Sequence, residues 1–416
     1  MKIVQERFHR ASLPNGLRIL HQQTRGPICH LAVIIRAGSR DEQEREQGLA
    51  HFVEHCLFKG TAHRKTYHIL SRLDDIGGEL NAFTGKEDTT LYATVLDPYF
   101  RRAAELLVDI AFHSTFPERE IGKEKEVVVD EIQAYADSPS DHIFDLFDEL
   151  IFSDHPLGRN ILGTPKSVRS FSRNHLLEFT ARLYRTDRIV LATAGPLSGE
   201  KVERVWSTLF DDILPERSTL ERKGAGAHKA VHAQKETAQS QTHCILGNRA
   251  FGGEEDHSLA FHLLNNILGG PTMNNRLNLR IRERFGLTYH LESFYTPYTD
   301  VGCWGVYFST EPGHSERVVR LVHKELKELR ERALGTLQLS RAKKQVQGQI
   351  ALAQENAGSS VGSAARSLLH RGSIEPLEQI MERIDRISAT ELLEVANQVF
   401  EPTALSSIYL RGQGST

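Results

Sequence analysis

"GLAHFVEHCLFKGT" (48–61) places two histidines and a glutamate within one helical turn of an otherwise apolar run. A second stretch, "LAFHLLNNILGG" (259–270), aligns with "LAHFVEHCLFKG" (49–60) and puts Phe261, Leu264 and Asn265 where the first has His51, Glu54 and His55. Likewise "FSRNHLLEFTARLY" (171–184) aligns with "ISATELLEVANQVF" (387–400), with Ser172 and Ser388 as matching helix N-caps. Ser388 and Glu391 fit a capping box, and His175 takes the glutamate's place in the first copy. The halves of the chain are therefore related by internal duplication. The helix is used twice but the polar trio occurs once, so building the helix does not require it.

The chain has 416 residues, more than a single hydrophobic core organises, and two or more domains are expected. Strand-like segments "LRILHQQ", "CHLAVIIRAG", "TTLYATVL" and "RIVLATAG" alternate with helical ones through the first 210 or so residues. After residue 237, "SQTHCILG" and "VGCWGVYFST" again alternate with helices such as "SERVVRLVHKELKELRERAL". Residues 214–237 are polar, rich in Gly and Ala, and carry no apolar period, which marks a linker. The expected organisation is an N-terminal domain 1–213, a linker 214–237 and a C-terminal domain 238–416, the two domains being similar α/β-type halves.

A net charge of −3 leaves no footprint for nucleic acid or an anionic membrane surface. No apolar run approaches the roughly 18 residues of a membrane span. The opening "MKIVQERFHRASLPNGLRIL" has no signal-peptide apolar region and reads as folded chain, with a turn at Pro14-Asn15-Gly16. Cys29, Cys56, Cys244 and Cys303 show no paired spacing, against a disulfide framework or a cysteine zinc site. A reducing, cytoplasmic location is expected, with export open if a leader has been removed.

On a helix, His51, Glu54 and His55 share an arc of roughly 100°. Two imidazoles one turn apart can share a tetrahedral cation, and a carboxylate beside them can reach a water in an open coordination position. Burying such groups unpaired on an apolar face would cost several kcal/mol, on the order of 2–7 per group. The duplicate helix meets the same packing demand with Phe, Leu and Asn, so metal binding explains the trio. A third ligand is needed. "EREIGKEKEVVVDEIQAYAD" (118–137) reads as a helix opening after Pro117, with Glu124, Val128 and Glu131 on one stripe and Glu126 and Asp130 pointing elsewhere. Glu131 is the candidate ligand, and Glu124, two turns earlier, a candidate carboxylate to orient one.

With these motifs in place, the chain resembles the pitrilysin/insulinase-type zinc metallopeptidases, the inverzincins, in the branch of mitochondrial processing peptidase and its bacterial relatives. The resemblance runs nearly end to end, through "LPNGLRIL", "GLAHFVEHCLFKGT", "IGGELNAFT", "EKEVVVDEI", "HPLGRNILGT" and "NNRLNLRIRERFGLTYHL". It implies an α+β fold of two halves, each a mixed, mostly antiparallel sheet packed with helices. It implies one Zn²⁺ per chain on His51, His55 and Glu131, with Glu54 as general base and acid and Glu124 in support. "GGELNAFT" (77–84) resembles the family's active-site edge strand, where Asn81, Ala82 and Phe83 offer main chain to an extended substrate. Arg282 and Tyr289 match a pair that reaches the active site from the other half to hold substrate and stabilise the oxyanion.

The resemblance also implies an endopeptidase for short or unfolded polypeptides, working inside a clamshell that takes four such domains and hence two chains. This chain keeps both the metal motif and the Arg/Tyr pair, so a homodimer is expected, with a heterodimer open. The alternative is a non-catalytic or partner-dependent scaffold subunit, as some relatives are; those lose ligands that this chain retains. Glu79, Glu87 and Asp88 are candidates to select basic substrates, or else solvated loop charges.

Overall fold

The computed structural model describes residues 8–413. The first seven residues, which belong to the stretch read for a leader, lie outside the described residues, as do the last three. Among the described residues, eleven strands form two sheets: β1 (His9–Ser12), β2 (Arg18–Gln23), β3 (Ile28–Ile35), β4 (Glu79–Thr84), β5 (Thr89–Leu96) and β6 (Ile189–Gly195) in the first, and β7 (His232–Thr237), β8 (Thr242–Ala250), β9 (His290–Pro297), β10 (Gly302–Thr310) and β11 (Ser406–Gly412) in the second. The first runs β1-β2-β6-β3-β5-β4 and the second β7-β11-β8-β10-β9. Each contains one parallel pair, β2 with β6 and β11 with β7, and is otherwise antiparallel. The expected mixed, mostly antiparallel sheets packed with helices are what the chain forms.

The strands behave as their side chains dictate. "IVLATAG" of β6 is buried at every position, as an inner strand covered on both faces must be. "ELNAFT" of β4 instead alternates exposed and half-buried residues at the end of the sheet order. One face of the first sheet packs the helices Leu49–Leu57, Phe100–Phe112, Arg173–Leu183 and Gly199–Leu209 around a core that includes Phe52, Leu107, Phe179 and Trp206. Its other face, through Leu20, Ile34, Val190 and Ala192, is covered by Val361, Ala365 and Leu369 of the helix Ala357–Arg371.

The second sheet is built in the same way. Helices Ser258–Gly269, Ser315–Glu331 and Ala389–Val399 fill one face. On the other, Ile143 and Phe147 of the helix Pro139–Ile151 pack on Ile245, Cys303 and Ile408. The covering helix of each sheet thus comes from the opposite half of the sequence. The compact units are 1–132, 159–222 and 353–374 for the first, and 133–158, 223–352 and 375–416 for the second. They are not the continuous halves 1–213 and 238–416. A helix's amphipathic pattern shows that it needs an apolar surface without showing which sheet provides it. The stretch 214–237 is also less of a free linker than its composition suggests. Its last residues are β7, and Arg222 lies buried against Asp41, with Nη2–Oδ2 at 2.8 Å, and against Glu87.

Among the described residues no helix is long and apolar enough to cross a membrane. All four cysteines are buried and free, in line with their scattered spacing. The duplicated N-caps form with a difference. Ser172 N–H donates to His175 Nδ1 at 3.0 Å, the reciprocal arm expected of the histidine. Ser388 Oγ accepts from Glu391 N–H at 3.0 Å, whereas the Glu391 carboxylate lies 3.9 Å from His257 instead of returning to the cap.

Candidate metal centre

The helix Leu49–Leu57 starts at Gly48, whose φ of +91° suits glycine. A Cβ there would stand 2.6 Å from the Gly163 Cα and 2.7 Å from the Leu162 carbonyl oxygen, so backbone meets backbone at the helix entrance. The buried Glu42 carboxylate accepts from the Gly48 and Ala50 N–H groups at 3.1 and 2.8 Å, satisfying amides that the helix leaves open. Burial pushes the Glu42 carboxyl up to about 8, against these two amides, which favour its charged form. The helix then buries Leu49, Phe52, Val53 and Cys56 in the core and turns His51, Glu54 and His55 toward the neighbouring helix and β4.

His51 Nε2 and His55 Nε2 lie 3.8 and 3.4 Å from the same oxygen, Glu131 Oε2. The potential ligand atoms of these three residues all fall within 4.8 Å of one another. Tetrahedral zinc with bonds of about 2.0–2.1 Å separates its ligands by about 3.3 Å, so the three atoms need only small adjustments to share an ion. A separation of 3.8 Å is too long for a hydrogen bond. Burial and the neighbouring His55 charge lower the His51 imidazole to about 4, which leaves it neutral and able to donate a lone pair. Two nitrogens and one carboxylate oxygen, with a coordination position to spare, are a donor set of the catalytic zinc type.

Glu124 completes the support. Its Oε2 stands 3.1 Å from His55 Nδ1 and its Oε1 2.6 Å from Lys59 Nζ. This hydrogen bond puts a proton on Nδ1 and leaves Nε2 facing Glu131. Burial by itself would lower His55, but the carboxylates of Glu124 and Glu131 outweigh it and lift the imidazole to about 9, so an ion bound at Nε2 has to displace a proton there. Glu124, though buried, is held below the ordinary carboxylate range by His55 and Lys59. Away from this centre on the same helix, Glu126 pairs with Arg169 at the surface and Asp130 is exposed.

Glu54 sits between the helix and β4. Thr84 Oγ1 donates to its Oε2 at 2.5 Å, while Oε1 makes no hydrogen bond among the described residues. Burial raises the Glu54 carboxyl above its ordinary value, against the opposing pull of Thr84 and His55. The structure thus brings His51, Glu54, His55, Glu124 and Glu131 together. Sequence reading missed Thr84 and Lys59. Lys59 lies one turn beyond His55, a spacing that could have suggested it, whereas Thr84 reaches Glu54 only through the placement of β4.

The remaining candidates lie as follows. Asn81 and Phe83 are exposed on β4 and Ala82 is half-buried. The Ala82 N–H donates to Asn81 Oδ1 at 2.8 Å, and the Arg366 guanidinium stands 5.1 Å from the centre of the Phe83 ring. Glu87 is tied to Arg40 at 2.7 Å and to Arg222, and Asp88 to Arg366 and His370 at 3.2 Å each, so neither is a solvated loop charge. Glu79 is exposed. In the second unit Arg282 belongs to a π-helical turn, Asn278–Glu283, and its guanidinium lies 5.4 Å from the ring centre of the exposed Tyr289.

The duplicate helix shows what replaces the centre. Asn265 Oδ1 accepts from Ser293 Oγ at 2.5 Å and from Trp304 Nε1 at 3.1 Å, and Phe261 packs against Trp304. The duplicate of the trio is therefore closed by an indole and satisfied internally.

Residues 18–165 match the model of the insulinase family of peptidases, M16, and residues 170–346 that of the M16 inactive domain. An uncharacterized zinc protease of Rickettsia bellii is 33% identical, over 97% of this chain and 98% of its own. One from Bacillus subtilis is also 33% identical, over 96% and 97%. Among solved structures, an M16 inactive domain from Pseudomonas fluorescens superposes with a TM-score of 0.89 at 20% identity, covering 98% of each chain. A protease from Helicobacter pylori gives 0.89 at 18%, covering 97% of this chain and 99% of that one. At such identities the structural likeness speaks to the fold.

Proposed function

The chain belongs to the insulinase-type peptidases of family M16, and on that premise we propose that it is a zinc-dependent endopeptidase of short or unfolded polypeptides. The observation that supports this most is the meeting of His51 Nε2, His55 Nε2 and Glu131 Oε2 around one point, with Glu54 alongside. Zinc, when bound by these three residues, supplies a Lewis acid and makes water acidic enough to ionise near neutral pH. Glu124 fixes the His55 ring in the tautomer that presents Nε2.

Glu54 is the general base. Thr84 occupies its Oε2, which leaves Oε1 to take a proton from the attacking water and pass it to the leaving amine. A carboxyl raised by burial is better matched to this work near neutral pH than an ordinary one. The main chain around Asn81, Ala82 and Phe83 pairs with substrate as an added strand, which tolerates varied side chains. Arg282 and Tyr289 hold substrate backbone and the developing oxyanion. Two chains enclose the substrate in a chamber, as a homodimer in preference to a heterodimer, since one chain retains both residue sets. Free buried cysteines suit a reducing compartment such as a bacterial cytoplasm.

The complete ligand set with its general base favours catalysis over a scaffold role. The test is cleavage of a quenched unstructured peptide by the purified protein, with and without chelator. Activity should vanish with chelator and return with zinc. Glu54→Gln should bind zinc yet lose about 10²–10⁴-fold in rate. Undiminished cleavage by that variant would reject Glu54 as the base, and no chelator-sensitive cleavage would favour the scaffold.

A further inference from the structure

A second group of metal-ligating side chains lies in the first unit, outside the centre described above: His63, Asp109 and His113, whose potential ligand atoms also fall within 4.8 Å of one another. Asp109 comes from the helix Phe100–Phe112, His113 directly follows that helix, and His63 lies in the loop after the motif helix. The loop is tied to the residues that follow the helix Phe100–Phe112. The Ala62 N–H donates to the His113 carbonyl at 2.8 Å, and Thr61 pairs in an isolated bridge with Ser114.

The carboxylate of Asp109 is buried and divides its two oxygens. Oδ2 accepts from Thr61 Oγ1 at 2.8 Å and from Arg64 Nη1 at 2.6 Å. Oδ1 faces the imidazoles, 2.7 Å from His63 Nδ1 and 3.5 Å from His113 Nδ1. The two rings stand edge to face with centroids 4.9 Å apart. The His113 Nδ1 is buried and makes no hydrogen bond. Separations of 2.7 and 3.5 Å bracket the ligand–ligand edge of about 3.3 Å in a tetrahedral zinc shell.

We propose that His63, Asp109 and His113 form a second transition-metal site, with solvent at the fourth position. The His63 side chain is 60% exposed and that of His113 38%, so an ion can enter from solution. Two imidazoles and a carboxylate select zinc, copper or nickel over calcium or magnesium. Arg64 opposes the added charge through the far oxygen, which makes this the weaker of the two sites. Bound metal would join the loop 58–65 to the end of the helix Phe100–Phe112. That loop also carries Lys59, which holds Glu124.

The test counts metal. Chelator-stripped full-length protein is titrated with Co²⁺ against a chromophoric competitor, and the bound equivalents and d–d absorption are read per chain. Wild type should take up two equivalents of different affinity. The double variant His63→Ala/His113→Ala should lose the weaker one, and His51→Ala/His55→Ala the tighter one. His63→Gln alone, a change at an exposed position, should lower the weaker affinity at least tenfold with circular dichroism unchanged. Uptake of the weaker equivalent that is untouched in His63→Gln and in the His63/His113 double variant would overturn the proposal, as would saturation of both wild type and the His51/His55 variant without any equivalent dependent on His63. Because the His51/His55 variant reads each centre separately, failure of this site and failure of the zinc peptidase reading give different results.

Discussion

At Glu54, one hydroxyl decides which carboxylate oxygen is available. Thr84 donates to Oε2 across the gap between β4 and the motif helix. A hydrogen bond to a charged group is worth about 1.5–3 kcal/mol, so Thr84→Val should lower kcat/KM about tenfold or more, and Thr84→Ser should restore most of it. Equal kcat/KM in wild type and Thr84→Val would show that the contact does not serve the base. His51, Glu54 and His55 were legible because a single helical turn places them together, and a duplicate helix without the trio lies in the same chain for comparison. Glu131 and Glu124 followed from their stripe and from the family's pattern. Thr84 was not legible, since a strand threonine is ordinary until the sheet brings it to Glu54.

Among the elements, the motif helix depends on how it begins. Gly48 and Gly163 lie back to back, with φ of +91° and +77°, and each would force a side chain into the other's backbone. Gly48→Ala combines an unfavourable φ with a backbone overlap and should destabilise the protein by about 2 kcal/mol or more. A urea midpoint that stays in place would contradict this reading of the helix entrance. Among the strands read from their apolar runs, β5 (Thr89–Leu96) and β6 (Ile189–Gly195) fall where those runs predict. The two covering helices, Pro139–Ile151 and Ala357–Arg371, were not singled out in the sequence, and their destination could not have been read from it. Either sheet offers an apolar face of the kind each requires, and only the folded chain discriminates between them.

For the molecule as a whole, that exchange makes the halves of the sequence interdependent. A fragment 1–213 contains the entire first sheet but lacks Val361, Ala365 and Leu369, which cover Leu20, Ile34, Val190 and Ala192. It should be aggregation-prone or bind a hydrophobic dye strongly, and adding a peptide of residues 353–374 should reduce the dye signal. A soluble fragment that unfolds cooperatively and does not respond to the peptide would refute the interdependence. The catalytic proposal rests in turn on one ion shared by groups from two helices of the first unit. Diffraction from zinc-loaded crystals at the zinc absorption edge tests it most directly. The account predicts an anomalous peak about 2.0–2.2 Å from His51 Nε2, His55 Nε2 and a Glu131 carboxylate oxygen. A zinc-loaded crystal with no peak among these three residues, or with Glu131 out of bonding reach of the ion, would contradict it.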